Sequence, residues 1–289
     1  MARSDAETLN PVLDIRGLTA VSNAGPVLRN VSLSVNQGEA MALVGESGAG
    51  KSTIAKAVLG ILPAAIRVTA GEILFEGNDL LTLPAQQMLK LLGVRIALIP
   101  QDPQTALNPA RRIGDQMTDG LRLRAKLSRD EANSRALALL NDVHIHDPEK
   151  VLRRYPHELS GGMRQRVLIA QAFSLNPDVI IADEPTTALD VTVQKQVLRL
   201  IRQLQRDHHT TLLFVSHDLG VVAQICDRIT VLYGGKILEQ GRTADVLGKP
   251  AHAYTRALLA ANPRYDRPEQ ALKPISEDLI AQLQREISS

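Results

Sequence analysis

The sequence predicts an α/β fold: a mainly parallel sheet flanked by helices, with a purely helical segment inserted between its two halves. Two observations carry that expectation. Four short runs, Ala40–Val44, Ile96–Ile99, 179–182 and 211–215, are mostly apolar at consecutive positions, as strands buried on both faces must be. Residues 12–102 and again 166–245 alternate such runs with helical patterns, whereas residues 103–165 offer no strand at all.

The first run passes into Gly45, Glu46, Ser47, Gly48, Ala49, Gly50, Lys51 and Ser52, and then into a helical pattern that starts at Thr53. This is G-x-x-x-x-G-K-[ST] in a strand, turn, helix context, which marks a phosphate loop. Glycines let the backbone curl until its N–H groups face phosphate oxygens, and the helix start favours negative charge. Lys51 is expected to reach the β and γ phosphates of a nucleoside triphosphate, and the Ser52 hydroxyl to meet Mg²⁺. The second run ends at Pro100 and Gln101.

Within the helical segment, Ser128 and Glu131 have capping-box spacing ahead of Ala132, Ala136, Leu139, Leu140 and Val143. Asp147-Pro148-Glu149 predicts a second helix with an aspartate cap and proline at its first position. Ser160, Gly161 and Gly162 open a third, carried by Val167, Leu168, Ala170 and Ala172, which presents a hydroxyl and free N–H groups. The segment is read as a lobe able to swing against the core.

The third run ends in Asp183 and Glu184. A carboxylate at a strand end beside a phosphate loop suits Mg²⁺ or its waters, the role expected of Asp183. Glu184, one residue further, is expected to polarise the attacking water. The fourth run ends at Ser216-His217-Asp218, so His217 reaches the same sheet edge, as a contact for the γ phosphate. Residues 246–289 form a tail with helical patterns at 253–260 and 276–287, the second amphipathic and loosely docked.

Composition narrows the classes. With 33 basic and 31 acidic side chains, the chain shows no electrostatic footprint for nucleic acid or anionic lipid. Cys226, the single cysteine, excludes an internal disulfide and a CxxC metal site, and reads as a small buried apolar residue. Residues 1–7 are polar, unlike a secretory signal, and no apolar stretch approaches the ~20 residues of a membrane helix. His144, His146, His208 and His209 form no ligand constellation and are read as solvated loop residues.

Leu159-Ser160-Gly161-Gly162 resembles the signature sequence of the nucleotide-binding subunits of ATP-binding cassette (ABC) transporters, and Ala188-Leu189-Asp190 resembles their D-loop. The resemblance runs from about Val12 to Asp266. It implies a RecA-like P-loop NTPase core with antiparallel strands near the N-terminus. It also implies that Gln101 senses Mg²⁺ and the γ phosphate, and that two cassettes sandwich two ATPs. Residues 160–162 of each would then serve the nucleotide of the other, and Asp190 of the D-loop is expected among the nucleotide-binding residues.

Three strings resemble the dipeptide, oligopeptide and nickel importer group: residues 101–109, 184–194 and 252–259. Thr186, Thr187 and Met163 are similar to the first of its two ATPases. The resemblance implies a second, non-identical ATPase subunit, two transmembrane permease subunits, an external solute-binding protein, and a place on the cytoplasmic face of a bacterial inner membrane. Two departures follow. Residues 19–24 lack the aromatic that stacks on adenine, which is worth about 1 kcal/mol or more, so weaker ATP binding or poorer base discrimination is expected. The tail lacks the cysteines of an iron–sulfur centre, so none is expected. Accessory cassettes of soluble enzyme complexes, such as those of phosphonate breakdown, resemble the same group. DNA-repair cassettes would need zinc cysteines or long coiled coils in the helical segment.

Overall fold

The computed structural model describes residues 11–187, 189–261 and 276–288. The chain begins with β1 (Leu13–Ser22), β2 (Gly25–Val35), β3 (Ala40–Val44), α1 (Lys51–Val58), β4 (Ile66–Phe75), β5 (Asn78–Asp79), α2 (Ala85–Leu91) and β6 (Ile96–Ile99). The helical segment follows as α3 (Pro103–Ala106), α4 (Ile113–Leu123), α5 (Arg129–Asp142), α6 (Pro148–Arg153) and α7 (Gly161–Phe173). Then come β7 (Val179–Asp183), α8 (Val191–Asp207), β8 (Thr211–Ser216), α9 (Leu219–Ile225), β9 (Arg228–Tyr233) and β10 (Lys236–Arg242). The tail holds α10 (Thr243–Gly248), α11 (Ala253–Ala261) and α12 (Glu277–Ser288).

Six strands form one sheet in the order β10-β9-β3-β8-β7-β6, parallel except for β10. Side-chain alternation explains why these runs are apolar throughout. Ala40, Ala42 and Val44 of β3 face one core cluster with Ile180, Ala182, Leu212 and Phe214. Met41 and Leu43 face the other with Val179, Ile181, Leu213 and Val215. The first face is covered by α7, α8, α9 and the helical segment, the second by α1 and a separate sheet of order β2-β1-β4-β5. Burying a side chain such as Phe214 on this central strand stabilises the fold by roughly 1.5–3 kcal/mol.

The antiparallel strands implied near the N-terminus are β1, β2 and β4: β1 pairs antiparallel with both β2 and β4, and of residues 12–102 only β3 and β6 join the parallel sheet. β4 is largely exposed along its first half, which an antiparallel sheet tolerates and a parallel one does not. α7 runs across position 165/166, and its buried residues extend from Gln165 to Phe173. Two local expectations need correction here. Pro148 does take the first position of α6, but Asp147 makes no side-chain cap. Its left-handed backbone, φ 51°, turns the carboxylate to Lys150 Nζ at 2.8 Å. Finally, α12 is not loosely docked: Leu283 is 1% exposed and belongs to the main core.

Other local readings agree with the structure. Ser128 and Glu131 form the full capping box of α5. Cys226 is buried, and burial pushes its thiol pKa up, so it is inert at neutral pH. His144, His146 and His209 are exposed. His208 is not a free loop residue, since it ends α8 half-buried with its ring 5.7 Å from that of Phe173.

Candidate functional site

Adjacent parallel strands bring the predicted residues to one edge. In register, Val44 pairs with Ser216, Asp183 with Val215, and Ile99 with Ala182. The carboxyl ends of β3, β8, β7 and β6 therefore lie side by side, and past them stand the 45–52 loop, His217, Asp183 with Glu184, and Gln101. Ligands of open α/β sheets bind at such an edge.

The loop between β3 and α1 needs its glycines. Gly45 has φ 152° and Gly50 φ 99°. A Cβ at Gly45 would run into the Leu232 carbonyl oxygen, and one at Gly50 would come within 2.7 Å of Leu28 Cδ2. Ser47, Gly48 and Ala49 make the bend between them, and Thr53 stands in the first turn of α1. Lys51 is 5% exposed, and its Nζ donates to the carbonyls of Gly45 and Glu46 at 2.8 Å each. Burial lowers its pKa, while the carboxylates of Glu184, Asp183 and Glu46 pull it back up. The ammonium is thus a cation held inside the loop amid three acids.

Ser52 Oγ donates to Asp183 Oδ1 at 3.0 Å. Burial pushes the Asp183 pKa up, opposed by the Ser52 hydrogen bond and reinforced by the nearby Glu184 charge. Such a desolvated carboxylate is short of positive charge. Glu184 sits just past β7 with φ 45°, an unusual backbone for a non-glycine residue, fixed by its N–H donating to the Val215 carbonyl at 3.0 Å. Its Oε2 gathers three partners: Thr187 Oγ1 donates at 3.0 Å, Gln101 Nε2 donates at 3.3 Å, and His217 Nδ1 lies 3.3 Å away. A carboxylate fixed this way can accept a proton from a water at the strand ends.

The structure therefore brings together Lys51, Ser52, Gln101, Asp183, Glu184 and His217. Ser160, Gly161, Gly162 and Asp190 take their contacts elsewhere. Ser160 Oγ caps α7 by accepting the Met163 N–H at 3.3 Å and stays exposed. Asp190 Oδ1 caps α8 by accepting the N–H groups of Thr192 and Val193 at 3.1 and 3.0 Å. Two contacts were missed by sequence reasoning. Thr187 enters the sequence reading only through the resemblance to the importer group, although its spacing of three from Glu184 suits a turn contact. Tyr254, within residues 252–259, meets the loop at Glu46. Among the described residues no group of three or more His, Cys, Asp or Glu could hold a metal by itself, and no helix is long and apolar enough to cross a membrane.

The family described as ABC transporter matches residues 28–187, more than half of the chain. The chain belongs to this family. The C-terminal region of the oligopeptide/dipeptide transporter family also matches, over residues 238–286. The cassette is 49% identical over 270 residues to the probable D,D-dipeptide transport ATP-binding protein DdpD of Escherichia coli (strain K12), covering 92% of this chain and 82% of that protein. It is 43% identical over 272 residues to the dipeptide transport ATP-binding protein DppD of Bacillus subtilis (strain 168), covering 92% and 81%. Among solved structures, the ATP-binding cassette MJ0796, a dimer in a post-hydrolysis state bound to ADP and Pi, superposes with a TM-score of 0.71. That match has 26% identity and covers 80% of this chain and 98% of that one. The cassette is an ATPase subunit of an ABC transporter, and its P-loop core, antiparallel sheet and helical segment are those of that fold.

Proposed function

We propose that this cassette hydrolyses ATP·Mg²⁺ to drive uptake of a peptide or a similar small solute across a bacterial inner membrane, working from the cytoplasmic face. The observation that carries the cargo class is the match of residues 238–286 to the oligopeptide/dipeptide transporter C-terminal region, alongside relatives named for dipeptide transport. Its partners are a second, non-identical cassette, two transmembrane permease subunits and, indirectly, an extracytoplasmic solute-binding protein.

In this reading the loop 45–52, followed by Thr53, wraps the phosphates, and Lys51 leaves the Gly45 and Glu46 carbonyls for the β and γ oxygens. Ser52, Asp183 and Gln101 would hold Mg²⁺. The hydroxyl and carboxylate 3.0 Å apart are hard oxygen donors, and the upward-shifted Asp183 is a group that a dication relieves. When bound, the ion neutralises charge on the β and γ oxygens. Glu184 accepts the proton of the attacking water, Thr187 and Gln101 fix its carboxylate, and His217 contacts the γ phosphate. Residues 103–165 form the lobe that swings against a core of residues 12–102 and 166–245. Residues 160–162 serve the ATP of the opposing cassette, which fits the exposure of Ser160, and Asp190 belongs to the nucleotide-binding set.

Tagged Glu184→Gln protein, incubated with ATP and detergent-solubilised membranes of its source, tests the assignment. Mass spectrometry is expected to find two polytopic membrane proteins and a second cassette. Soluble enzyme subunits without any membrane protein would overturn the transport reading. A Ser160→Arg subunit assembled with a wild-type partner is expected to cut hydrolysis at the site that holds the partner's own loop. Damage confined to the mutant's own loop would remove the sandwich.

A further inference from the structure

The tail reaches the nucleotide site. Tyr254 of α11 is fully buried, and its ring packs on Tyr233 at the end of β9 with centroids 4.9 Å apart. Its hydroxyl oxygen accepts the Glu46 N–H at 3.3 Å, across 208 positions of sequence. From the other side the Lys51 ammonium holds the carbonyls of Gly45 and Glu46. The peptides that enter the loop are thus pinned twice, by a cation inside and a phenol outside.

Tyr254 is itself braced. Its N–H donates to His252 Nδ1 at 3.1 Å, and the N–H groups of Ala251 and His252 donate to the Glu239 carboxylate at 2.8 and 3.0 Å. Across from this turn, α12 brings Glu286 Oε2 to 3.6 Å from His252 Nε2, and Lys236 Nζ donates to the Glu286 carbonyl at 3.2 Å. Ile287 lies close over Gly234 in the turn between β9 and β10.

We propose that Tyr254 is a positioning residue for ATP, through which the tail sets the geometry of the phosphate loop. The argument rests on residues 45–52 being that loop. When phosphates draw the Lys51 ammonium off the Gly45 and Glu46 carbonyls, the inner pin is lost and the Tyr254 hydroxyl still holds Glu46. The phenol therefore matters more with nucleotide bound than without, and this difference is what appears as affinity. Burial raises the Tyr254 pKa, so the hydroxyl stays neutral throughout.

Full-length Tyr254→Phe removes the hydroxyl and keeps the ring. The Kd for ATP is expected to rise about three- to ten-fold, the size of one lost hydrogen bond, with kcat within about two-fold. Hydrogen exchange of the peptide spanning residues 45–52 is expected to quicken in the ATP-bound form. Tyr233→Phe, which deletes the other hydroxyl of the ring pair, is expected to leave Kd and loop exchange unchanged. An equal rise in Tyr233→Phe would reduce the effect to ring packing and overturn the proposal. So would wild-type Kd and exchange in Tyr254→Phe while Lys51→Ala loses ATP. If Lys51→Ala keeps its ATP affinity, the loop assignment falls first and the proposal goes with it.

Discussion

Glu184→Gln is expected to keep ATP bound and to lower turnover by a factor on the order of 10²–10⁴, the usual contribution of a general base. The substitution changes charge and little else. A glutamine carbonyl can still accept from Thr187 Oγ1, which donates at 3.0 Å, so the turn after β7 keeps its shape. The left-handed backbone at position 184 is fixed by the N–H to the Val215 carbonyl, which the variant retains. What disappears is a basic oxygen fixed among Gln101, Thr187 and His217. Single-turnover hydrolysis, measured beside ATP binding under the same conditions, separates the two effects. Near-normal hydrolysis would strip Glu184 of its role.

Lys51→Ala is expected to lower ATP affinity by two orders of magnitude or more. Each charge-assisted hydrogen bond is worth roughly 1.5–3 kcal/mol, and the ammonium offers more than one to the phosphates. The surroundings sharpen the loss. Asp183, Glu184 and Glu46 all act on Lys51, so without it the loop presents carboxylates to an incoming polyanion. Titration with a fluorescent ATP analogue checks this. Affinity within a few-fold of wild type would mean that phosphates bind elsewhere.

What the sequence made legible follows from what is local. β3 and β6 were readable as continuous apolar runs because both faces of the parallel sheet are covered. The 45–52 loop was readable because its glycines answer a steric need visible in its spacing, and the capping box of α5 spans four residues. The antiparallel sheet was harder to resolve strand by strand. β1 pairs through register shifts between Ile15 and Leu18 and again between Leu18 and Ala20, which blur any alternation. The chemistry at the strand ends was legible as residue types, yet the gathering of Gln101, Thr187 and His217 on one oxygen of Glu184 depends on strand order. Asp147 looked like a cap and is not one, because a left-handed backbone is a property of the turn rather than of the residue. The Tyr254 hydroxyl was out of reach, since nothing near position 254 points to Glu46.

The cover of the sheet has a mechanical consequence. α7 is buried along Val167 to Phe173, where it packs on the face that carries Ala97, Ile99, Ile180 and Ala182, while Ser160 at its start is exposed. Its thirteen residues make a rod about 20 Å long. A tilt of about 5° at the buried end would carry Ser160 through roughly 2 Å, enough to make or break a hydrogen bond. The helix is in that sense a lever arm, with its fulcrum in the core and its free tip at the surface. Lengthening it by one turn would change the gearing without touching a single residue of the site.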